Sequence, residues 1–400
     1  MKSQLTIYAA LFLFILTFTQ FNAITFAIDP IDPCLELTDD YNSYKLSDCP
    51  KNKRNKRDAH NKRQSDQSGI FRVELICSKY SVKNNCSKIK DAFLTAGREL
   101  SKVLTLNPEE PINVLVQYKK LDRIKTLDKK TRLYPQALVK QFDLEYHSEY
   151  AKYDIVSKVN SDINWWFKGD GQIKPNQYDL VLVALHDLIH GLGFKSSWTS
   201  NAEGYISDAT GLAPIWYHYN YRWSYNFAGF FETIFDRNVY FLTKTTKVTK
   251  ANSYSYVSKF NSTKPFTSKK TLIASKEWAI AKYIIGEATT KDSIIFDPSK
   301  HTGVKGPIYL ETSIKPFVEG VNIINLSQMD KNSADFLMTY PFIKGSTLEN
   351  IVKNGKYKSP IGPKTIAILE SMGYSTPKHP YPTLPSFTFS YKYLNNYQCY

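Results

Sequence analysis

One long apolar helix, closed by glycines, constrains the fold of this chain more than any other segment. Residues 178–190 read YDLVLVALHDLIH, and Gly191 and Gly193 follow, as is common where a helix ends. His186 and His190 stand four residues apart, so they lie on the same face of this helix. Two imidazoles at that spacing can share one Zn²⁺ ion. The pattern predicts a metal site, although two such histidines also occur as ordinary packed residues of a core.

The residues beside these histidines both support and weaken a catalytic zinc site. Asp187 occupies the position of the acid–base carboxylate in metalloproteases with an H-E-x-x-H motif. Its side chain is shorter than that of glutamate by one carbon–carbon bond, about 1.5 Å. A zinc site also needs a third ligand, and the spacing H-x-x-x-H-x-x-G-x-x-H would place it at Ser196. Serine is a poor zinc ligand.

The N-terminal segments indicate secretion and processing. Residues 1–27 combine a basic start, an apolar stretch and small residues, which predicts a cleaved signal peptide, with a signal anchor as the alternative. Residues 51–63 (KNKRNKRDAHNKR) contain three dibasic pairs that end at Arg54, Arg57 and Arg63. These pairs resemble the sites of kexin-like processing proteases. We therefore expect residues 28–63 to form a removable pro-segment, whereas a solvated charge run is the usual meaning of such a stretch.

Secretion permits disulfides and N-glycosylation. Of the five cysteines, Cys34, Cys49, Cys77 and Cys86 allow three pairings, of which Cys34–Cys49 with Cys77–Cys86 is the local one, and Cys399 is left over. Three N-x-S/T sequences are candidate glycosylation sites, at Asn85, Asn261 and Asn325.

Length and charge limit the remaining possibilities. A chain of 400 residues suits one large domain with appendages. The sequence after the signal contains no long apolar run, so we expect no transmembrane span there. The formal charge is +15, and removing the signal (one lysine) and the pro-segment (net +1) leaves +13. A secreted basic protein favours anionic partners such as wall polysaccharides. Secretion and the lack of a known binding motif argue against nucleic acid.

Hydrophobic periodicity predicts a mixed α+β domain over residues 64–376. The middle, about 200–275, shows little periodicity and is expected to be loops and short strands or an insertion, and a Pro/Tyr-rich tail follows from 377 to 400. Strands or extended segments are predicted at 71–77, 112–118, 154–159 and 164–167, and helices at 86–104, 134–142, 178–190, 275–285 and 361–372.

Three segments together resemble secreted metzincin-like zinc metallopeptidases of bacteria and fungi. Residues 163–194 show the Trp-aromatic pair, Gly-Asp-Gly, Tyr-Asp and a histidine motif ending in HGLGF, with HDxxH in place of HExxH. Residues 134–138 (YPQAL) fit upstream. Residues 335–341 (DFLMTYP) resemble the methionine-containing turn, and 361–374 the closing helix of that group. The resemblance covers roughly residues 70–375, with the middle poorly matched.

The resemblance implies a zincin/metzincin-like α+β fold, with a mixed twisted sheet, a zinc-site helix and a C-terminal subdomain carrying the Met-turn and last helix. It implies Zn²⁺ held by His186 and His190, with Met338 as a structural platform below them. The family often has a histidine shortly before its Met-turn, and Gln328 stands at that place here. Possible third ligands are therefore Asp236, Asp330, Gln328 and His218.

Two functions follow from these observations. In the first, the chain is a monomeric secreted zinc endopeptidase, made as a proenzyme, in which Asp187 takes a proton from a metal-activated water and protein or peptide is the substrate. In the second, it is a catalytically silent relative that binds anionic partners. Asp187 and Gln328 favour the silent protein, whereas the histidine pair and the dibasic sites favour the enzyme.

Overall fold

The computed structural model describes residues 35–37, 44–46, 70–77, 85–118, 132–142, 152–200, 210–221, 224–244, 248–261, 266, 269–298 and 302–380. These residues form a mixed α/β structure with several small sheets. In chain order the elements are β1 (Leu35–Leu37), β2 (Tyr44–Leu46), β3 (Phe71–Cys77), α1 (Asn85–Val103), β4 (Ile112–Tyr118), β5 (Arg132–Leu133), α2 (Gln136–Val139), β6 (Ile155–Val159), β7 (Trp165–Trp166), β8 (Tyr178–Asp179), α3 (Leu180–Gly191), β9 (Ile215–Tyr221), β10 (Ser224–Thr233), β11 (Val239–Lys244), β12 (Val248–Asn252), α4 (Ser253–Asn261), α5 (Lys269–Ile273), α6 (Trp278–Ala288), β13 (Ile294–Phe296), β14 (Ile308–Tyr309), α7 (Leu348–Gly355) and α8 (Pro363–Met372).

The first half of the domain is a parallel three-stranded sheet in the order β3-β4-β6. Its strands are short and rich in β-branched residues, as expected for strands that are covered by helices. Helix α1 connects β3 to β4 and turns Ile89, Phe93 and Leu100 towards the core, where all three are fully buried. The apolar helix α3 packs against α1 and β6, so it lies in the interior of the domain.

A buried polar network fixes the segment that resembles the family's YPQAL motif. Asp154, which is 0% exposed, accepts hydrogen bonds from the Gln136 side chain at 2.6 Å and from the Lys140 ammonium at 3.0 Å. Its second oxygen also accepts from the amide of Asn113 at 2.6 Å. A buried carboxylate needs such partners, so this motif has a structural role that joins α2 to β4 and β6.

The middle segment contributes more regular structure than the sequence predicts. Strand β10 pairs with β9 and with β5, and β11 belongs to the four-stranded sheet β12-β11-β13-β14. Phe235 stacks between Phe194 and Phe296, with ring centroids 4.9 and 5.2 Å away. This part of the chain is therefore built into the same core as α3. The sequence does not reveal this role, because apolar and polar residues do not alternate regularly along these strands.

The C-terminal part returns to α3. Two 3₁₀ turns, Gln328–Asp330 and Phe336–Met338, precede α7 and α8. Helix α7 is absent from the sequence-based expectations, whereas α8 coincides with the helix predicted at 361–372. No helix within the described residues has the length and apolar character needed to cross a membrane. The signal segment and the tail after residue 380 lie outside the described residues. So does most of the pro-segment, apart from β1 and β2, which pair antiparallel within 28–63.

Candidate metal centre

Helix α3 is fixed at both ends. At its start, Asp179 caps the helix by accepting a hydrogen bond from the Val181 amide, and its other oxygen accepts from the amide of Leu348 at the start of α7. At its end, Gly193 adopts a φ of 109°. The amides of Gly193 and Phe194 return to the carbonyls of His190 and Ile189, which is a Schellman closure. These contacts determine where the two histidines on the last turns of α3 point.

The two imidazoles face each other through their Nε2 atoms. These atoms lie 2.9 Å apart, and the rings are nearly perpendicular, with centroids 4.5 Å apart. Each ring is oriented by a backbone carbonyl: Nδ1 of His186 lies 2.9 Å from the oxygen of Leu337, and Nδ1 of His190 lies 2.7 Å from the oxygen of Phe194. Such an outer contact at the second ring nitrogen is typical of histidines that bind metal.

These contacts leave an electronic conflict that a cation would resolve. A carbonyl oxygen only accepts hydrogen bonds, so each Nδ1 must carry the hydrogen that it shares with Leu337 or Phe194. In a neutral imidazole the Nε2 atom then bears a lone pair, and two such lone pairs point at each other across 2.9 Å. Two nitrogens bound to one tetrahedral zinc ion lie about 3.3 Å apart, given Zn–N distances of about 2.0–2.1 Å. The pair therefore fits two metal ligands with only a small opening.

Burial keeps both imidazoles neutral. Removal from water lowers the pKa of His186 well below its ordinary value, and the neighbouring His190 lowers it further. Burial likewise lowers the pKa of His190 to about 4. Neutral imidazole is the form that binds metal, so no proton has to leave at neutral pH before an ion can bind.

The turn that contains Met338 lies below His186. Met338 is 0% exposed, and its carbonyl accepts a hydrogen bond from the amide of Leu326 at 2.7 Å. The preceding residue, Leu337, supplies the carbonyl for His186, and the ring of Phe342 packs edge-on against the same imidazole with centroids 4.6 Å apart. The segment singled out as a Met-turn thus contacts the histidine site, through a backbone oxygen and a ring.

Asp187 follows His186 and is also buried, at 3% exposure. Its Oδ2 atom accepts a long hydrogen bond of 3.4 Å from the hydroxyl of Ser157, a fully buried residue of β6. The carboxylate is therefore directed towards the parallel sheet. A glutamate at the same position would extend about 1.5 Å further.

Asp236, a predicted metal ligand, has a structural role in the loop that follows α3. It is 0% exposed, and Oδ1 accepts from the Ser196 hydroxyl at 2.6 Å, while Oδ2 accepts from the amides of Ser197 and Thr233 at 2.7 and 2.9 Å. Burial raises the pKa of Asp236, and these hydrogen bonds oppose the rise. The carboxylate fixes the chain just after α3. Ser196, the position of a third ligand by spacing, is engaged in the same network.

The remaining candidate ligands are Asp330, Gln328 and His218. Asp330 is buried and forms an ion pair with Lys364 at 2.6 Å, whereas the side chain of Gln328 is exposed. His218 lies in β9 opposite Phe227, and its side chain is outside those described. Among the described residues, no group of three His, Cys, Asp or Glu side chains is arranged to hold a metal. The described site thus contains two nitrogen donors, and neither Asp236 nor Asp330 joins them.

The predicted modification sites differ in accessibility. Asn85 is half-buried at the start of α1, and the side-chain amide of Asn261 exchanges two hydrogen bonds with the backbone of Phe230. Asn325 is only 1% exposed, so a glycan there would have to displace the surrounding core. Arg54, Arg57 and Arg63 lie outside the described residues.

Cys86 is disulfide-bonded in the structure. The side chain of Cys77 lies outside those described, so the pairing of Cys77 with Cys86 stays a prediction.

Sequence reasoning misses the partners that orient the histidines. Leu337 and Phe194 act through backbone oxygens, which carry no signature in the identity of the residue. The position of Phe194, four residues after His190, is the one signal that could have indicated its contact. Ser157 lies 30 residues before Asp187, and nothing in its sequence context distinguishes it.

Comparisons with known proteins give a family match and a relative. A family model described as SPBPB7E8-like matches residues 116–395. A protein of Schizosaccharomyces pombe, "Uncharacterized protein PB7E8.01", is 27% identical over 268 residues, which cover 61% of this chain and 47% of that protein. The chain thus spans about half of that relative's length. The comparison with solved structures found no match.

Proposed function

The chain belongs to the SPBPB7E8-like family, and from this premise we propose that it is a secreted zinc-dependent metallopeptidase-like protein. The observation that carries the proposal is the pair of Nε2 atoms 2.9 Å apart, each on a ring whose Nδ1 contacts a carbonyl oxygen. An arrangement that directs two lone pairs at one point is costly in a buried site without a cation. Packing alone would favour rings that each find a hydrogen-bond donor.

The residues of the site have distinct roles in this proposal. His186 and His190 hold the ion through Nε2, while the carbonyls of Leu337 and Phe194 fix the ring orientation. Zinc, when bound there, would supply Lewis acidity and lower the pKa of a water molecule, so that loss of a proton would leave a hydroxide able to attack a peptide carbonyl. Asp187 is the carboxylate available to receive the proton, and Ser157 limits its position.

The proposed fold is zincin/metzincin-like. The support is the order of the parts: a parallel sheet with α1, then α3 with the two histidines, then the buried turn of Met338 in contact with His186, and α8 last. Secretion, removal of residues 28–63 and a peptide substrate belong to the same proposal, as does a monomeric state. They rest on the sequence of the N-terminal segments and on the resemblance of the site.

A zinc-binding measurement tests the proposal directly. The mature protein, expressed through a secretory pathway, should bind one equivalent of zinc in a titration against a competing chelator. His190→Gln should weaken zinc binding by more than about 100-fold, since loss of an outer contact alone costs about 10–100-fold. His379→Gln, in a C-terminal turn, is the matched control and should bind zinc as the wild type does. A folded wild type that binds no zinc would refute the proposal.

Peptidase assays on Asp187 variants test the catalytic part. If the short carboxylate limits proton transfer, Asp187→Glu should raise hydrolysis of a casein-type substrate by up to about 10²–10⁴-fold, the usual value of a positioned acid–base group. Asp187→Asn should abolish any activity of the wild type. Full wild-type activity that falls in Asp187→Glu would show instead that the site is tuned to aspartate.

One observation favours the alternative of a catalytically silent binding protein. The described residues offer two donors and no third acidic, cysteine or histidine ligand, and Gln328 stands exposed where relatives often have histidine. In that case zinc binding is weak, and neither Asp187→Glu nor its combination with Gln328→His yields peptidase activity. Retention of the chain on an anionic polysaccharide column, lost at high salt, would then identify the partner class suggested by its charge.

A further inference from the structure

A second polar site lies between Glu311 and Asn325, beside the residue that is hydrogen-bonded to the Met338 turn. Leu310 and Leu326 form an antiparallel bridge, and the amide of Glu311 donates to the carbonyl of Asn325 at 2.7 Å. Residues directly opposite in an antiparallel pair place their side chains on the same face, with Cα atoms about 5.5 Å apart. Glu311 and Asn325 are such a pair, and they are 0% and 1% exposed.

In each side chain one polar atom is hydrogen-bonded and one oxygen has no partner among the described residues. Oε1 of Glu311 accepts from the amide and the hydroxyl of Ser313, both at 2.6 Å. The Asn325 amide nitrogen donates to the carbonyl of Val321 at 2.9 Å. Oε2 of Glu311 and Oδ1 of Asn325 are buried and have no hydrogen-bond partner among the described residues. Two buried acceptors therefore remain on the same face.

Rotating the Asn325 amide by 180° does not remove the problem. Its nitrogen would then face Glu311, but its oxygen would meet the carbonyl oxygen of Val321 at a distance of about 2.9 Å. The contact with Val321 thus fixes Oδ1 as the atom that turns to the shared face. A cation between the two acceptors satisfies both at once.

The charge of Glu311 strengthens this reasoning. In the described part of the chain, no lysine, arginine or histidine forms an ion pair with Glu311, whose only recorded partners are neutral groups of Ser313. An ionised carboxylate buried without a counter-charge is costly. Carboxylate and amide oxygens are hard ligands of the kind that calcium prefers, and calcium accepts irregular coordination completed by carbonyls and water.

The backbone beside the site is held in an unusual conformation. Ile323 has a φ of 73°, in a region that β-branched residues rarely adopt, and its amide donates to the carbonyl of Glu311 at 2.8 Å. Strained residues of this kind persist where surrounding contacts hold them. This hydrogen bond ties the strained turn at Ile323 to the backbone of Glu311.

We propose that Oε2 of Glu311 and Oδ1 of Asn325 are ligands of a structural calcium ion, independent of the zinc site. The next residue after Asn325 is Leu326, whose amide donates to the carbonyl of Met338. Calcium bound to these two residues would stabilise the segment that is hydrogen-bonded to the Met338 turn.

Calcium titration of the metal-stripped mature protein tests this site. The wild type should bind one equivalent by calorimetry, and its Tm should rise with calcium and then saturate, with a smaller response to Mg²⁺ at the same concentration. Glu311→Gln should weaken calcium binding about tenfold or more. Glu370→Gln, at a buried glutamate that accepts from the Thr376 hydroxyl, is the matched control and should keep wild-type affinity. The response should persist in His190→Gln, which separates this site from the proposed zinc site.

A second variant keeps the test decisive if Glu311→Gln does not fold. Asn325→Asp adds a charge to the ligand set but loses the donor to Val321. It should be less stable than the wild type without calcium and show a larger rise of Tm with calcium. A wild type that shows no saturable response up to about 10 mM calcium, an equal response to Mg²⁺, or unchanged calcium affinity in Glu311→Gln would overturn the assignment.

Discussion

Asp335 joins the Met338 turn to the last helix, and its ionisation is expected to weaken the fold. It immediately precedes Phe336–Met338, and its Oδ1 accepts from the amides of Lys364 and Thr365 in the first turn of α8, at 2.8 and 3.2 Å. Burial raises the pKa of Asp335 to about 6, although the hydrogen bonds from α8 oppose the rise. The residue is 3% exposed, so solvent screening does not remove the effect.

The sign and size of the effect follow from the raised pKa. The unfolded chain releases the Asp335 proton near the ordinary value of 3.8, whereas the folded protein holds it until about pH 6. The folded state therefore binds more protons in this window, and stability falls as pH rises from about 4 to about 6. A shift of this size corresponds to about 3 kcal/mol, at about 1.4 kcal/mol for each unit of pKa. The loss is complete above pH 6 and persists at neutral pH.

Asp335→Asn isolates this contribution, because the amide keeps an accepting oxygen for α8 but does not ionise. The variant and the wild type should have similar unfolding free energies near pH 3.5, and at pH 7.5 the variant should be more stable by up to about 3 kcal/mol. Urea unfolding at pH 3.5, 5, 6 and 7.5 measures the difference, with the exposed Asp91→Asn as the control that should follow the wild type. Parallel pH profiles, or a variant that is less stable at pH 7.5, would show that the carboxylate is not destabilised as argued.

Three glycine substitutions give further tests by thermal or urea unfolding. Gly193→Ala should destabilise the protein by about 1–3 kcal/mol and weaken zinc binding, because φ is 109° and an added methyl would lie 2.6 Å from Pro135 Cγ. Gly362→Ala should cost about 1–3 kcal/mol although its φ is ordinary, since the methyl would lie 2.2 Å from Oδ1 of Asp335. Gly286→Ala, in the interior of α6 with open space around it, should instead stabilise the protein by about 0.5–1 kcal/mol. A gain of stability in Gly193→Ala or Gly362→Ala, or a loss in Gly286→Ala, would contradict the packing on which these expectations rest.

The elements that local pattern determines are the ones that the sequence predicts well. Helices α1 and α3 and strands β3 and β4 lie within one or two residues of the predicted bounds, because their apolar spacing reflects contacts along the same element. Strand β10 is different. Besides its neighbour β9, it pairs with β5, 100 residues earlier in the chain, and no periodicity in either segment indicates that pairing.

The candidate site likewise has a part that local sequence predicts and a part that depends on tertiary structure. The spacing of His186 and His190 on one helix face is a local property, and the structure brings the two rings together. The proposed use of Asp236 as a ligand rested on residue type alone, whereas its partners are the Ser196 hydroxyl and the Ser197 amide, about 40 residues away, and the nearby amide of Thr233. A buried carboxylate takes whichever donors the fold supplies, and those donors are set by tertiary structure.

The two departures from the metzincin pattern do not have equal weight. Asp187 is buried beside Ser157 in the interior, so its short side chain leaves the carboxylate close to the parallel sheet. Gln328 is exposed, so nothing in the packing requires glutamine there. The carbonyls of Leu337 and Phe194 each accept a hydrogen bond from an imidazole Nδ1, which satisfies a buried histidine and is also the contact typical of histidines that bind metal. In the proposed function these carbonyls orient the two metal ligands, and the lack of a third acidic, cysteine or histidine ligand among the described residues is the point at which activity would fail.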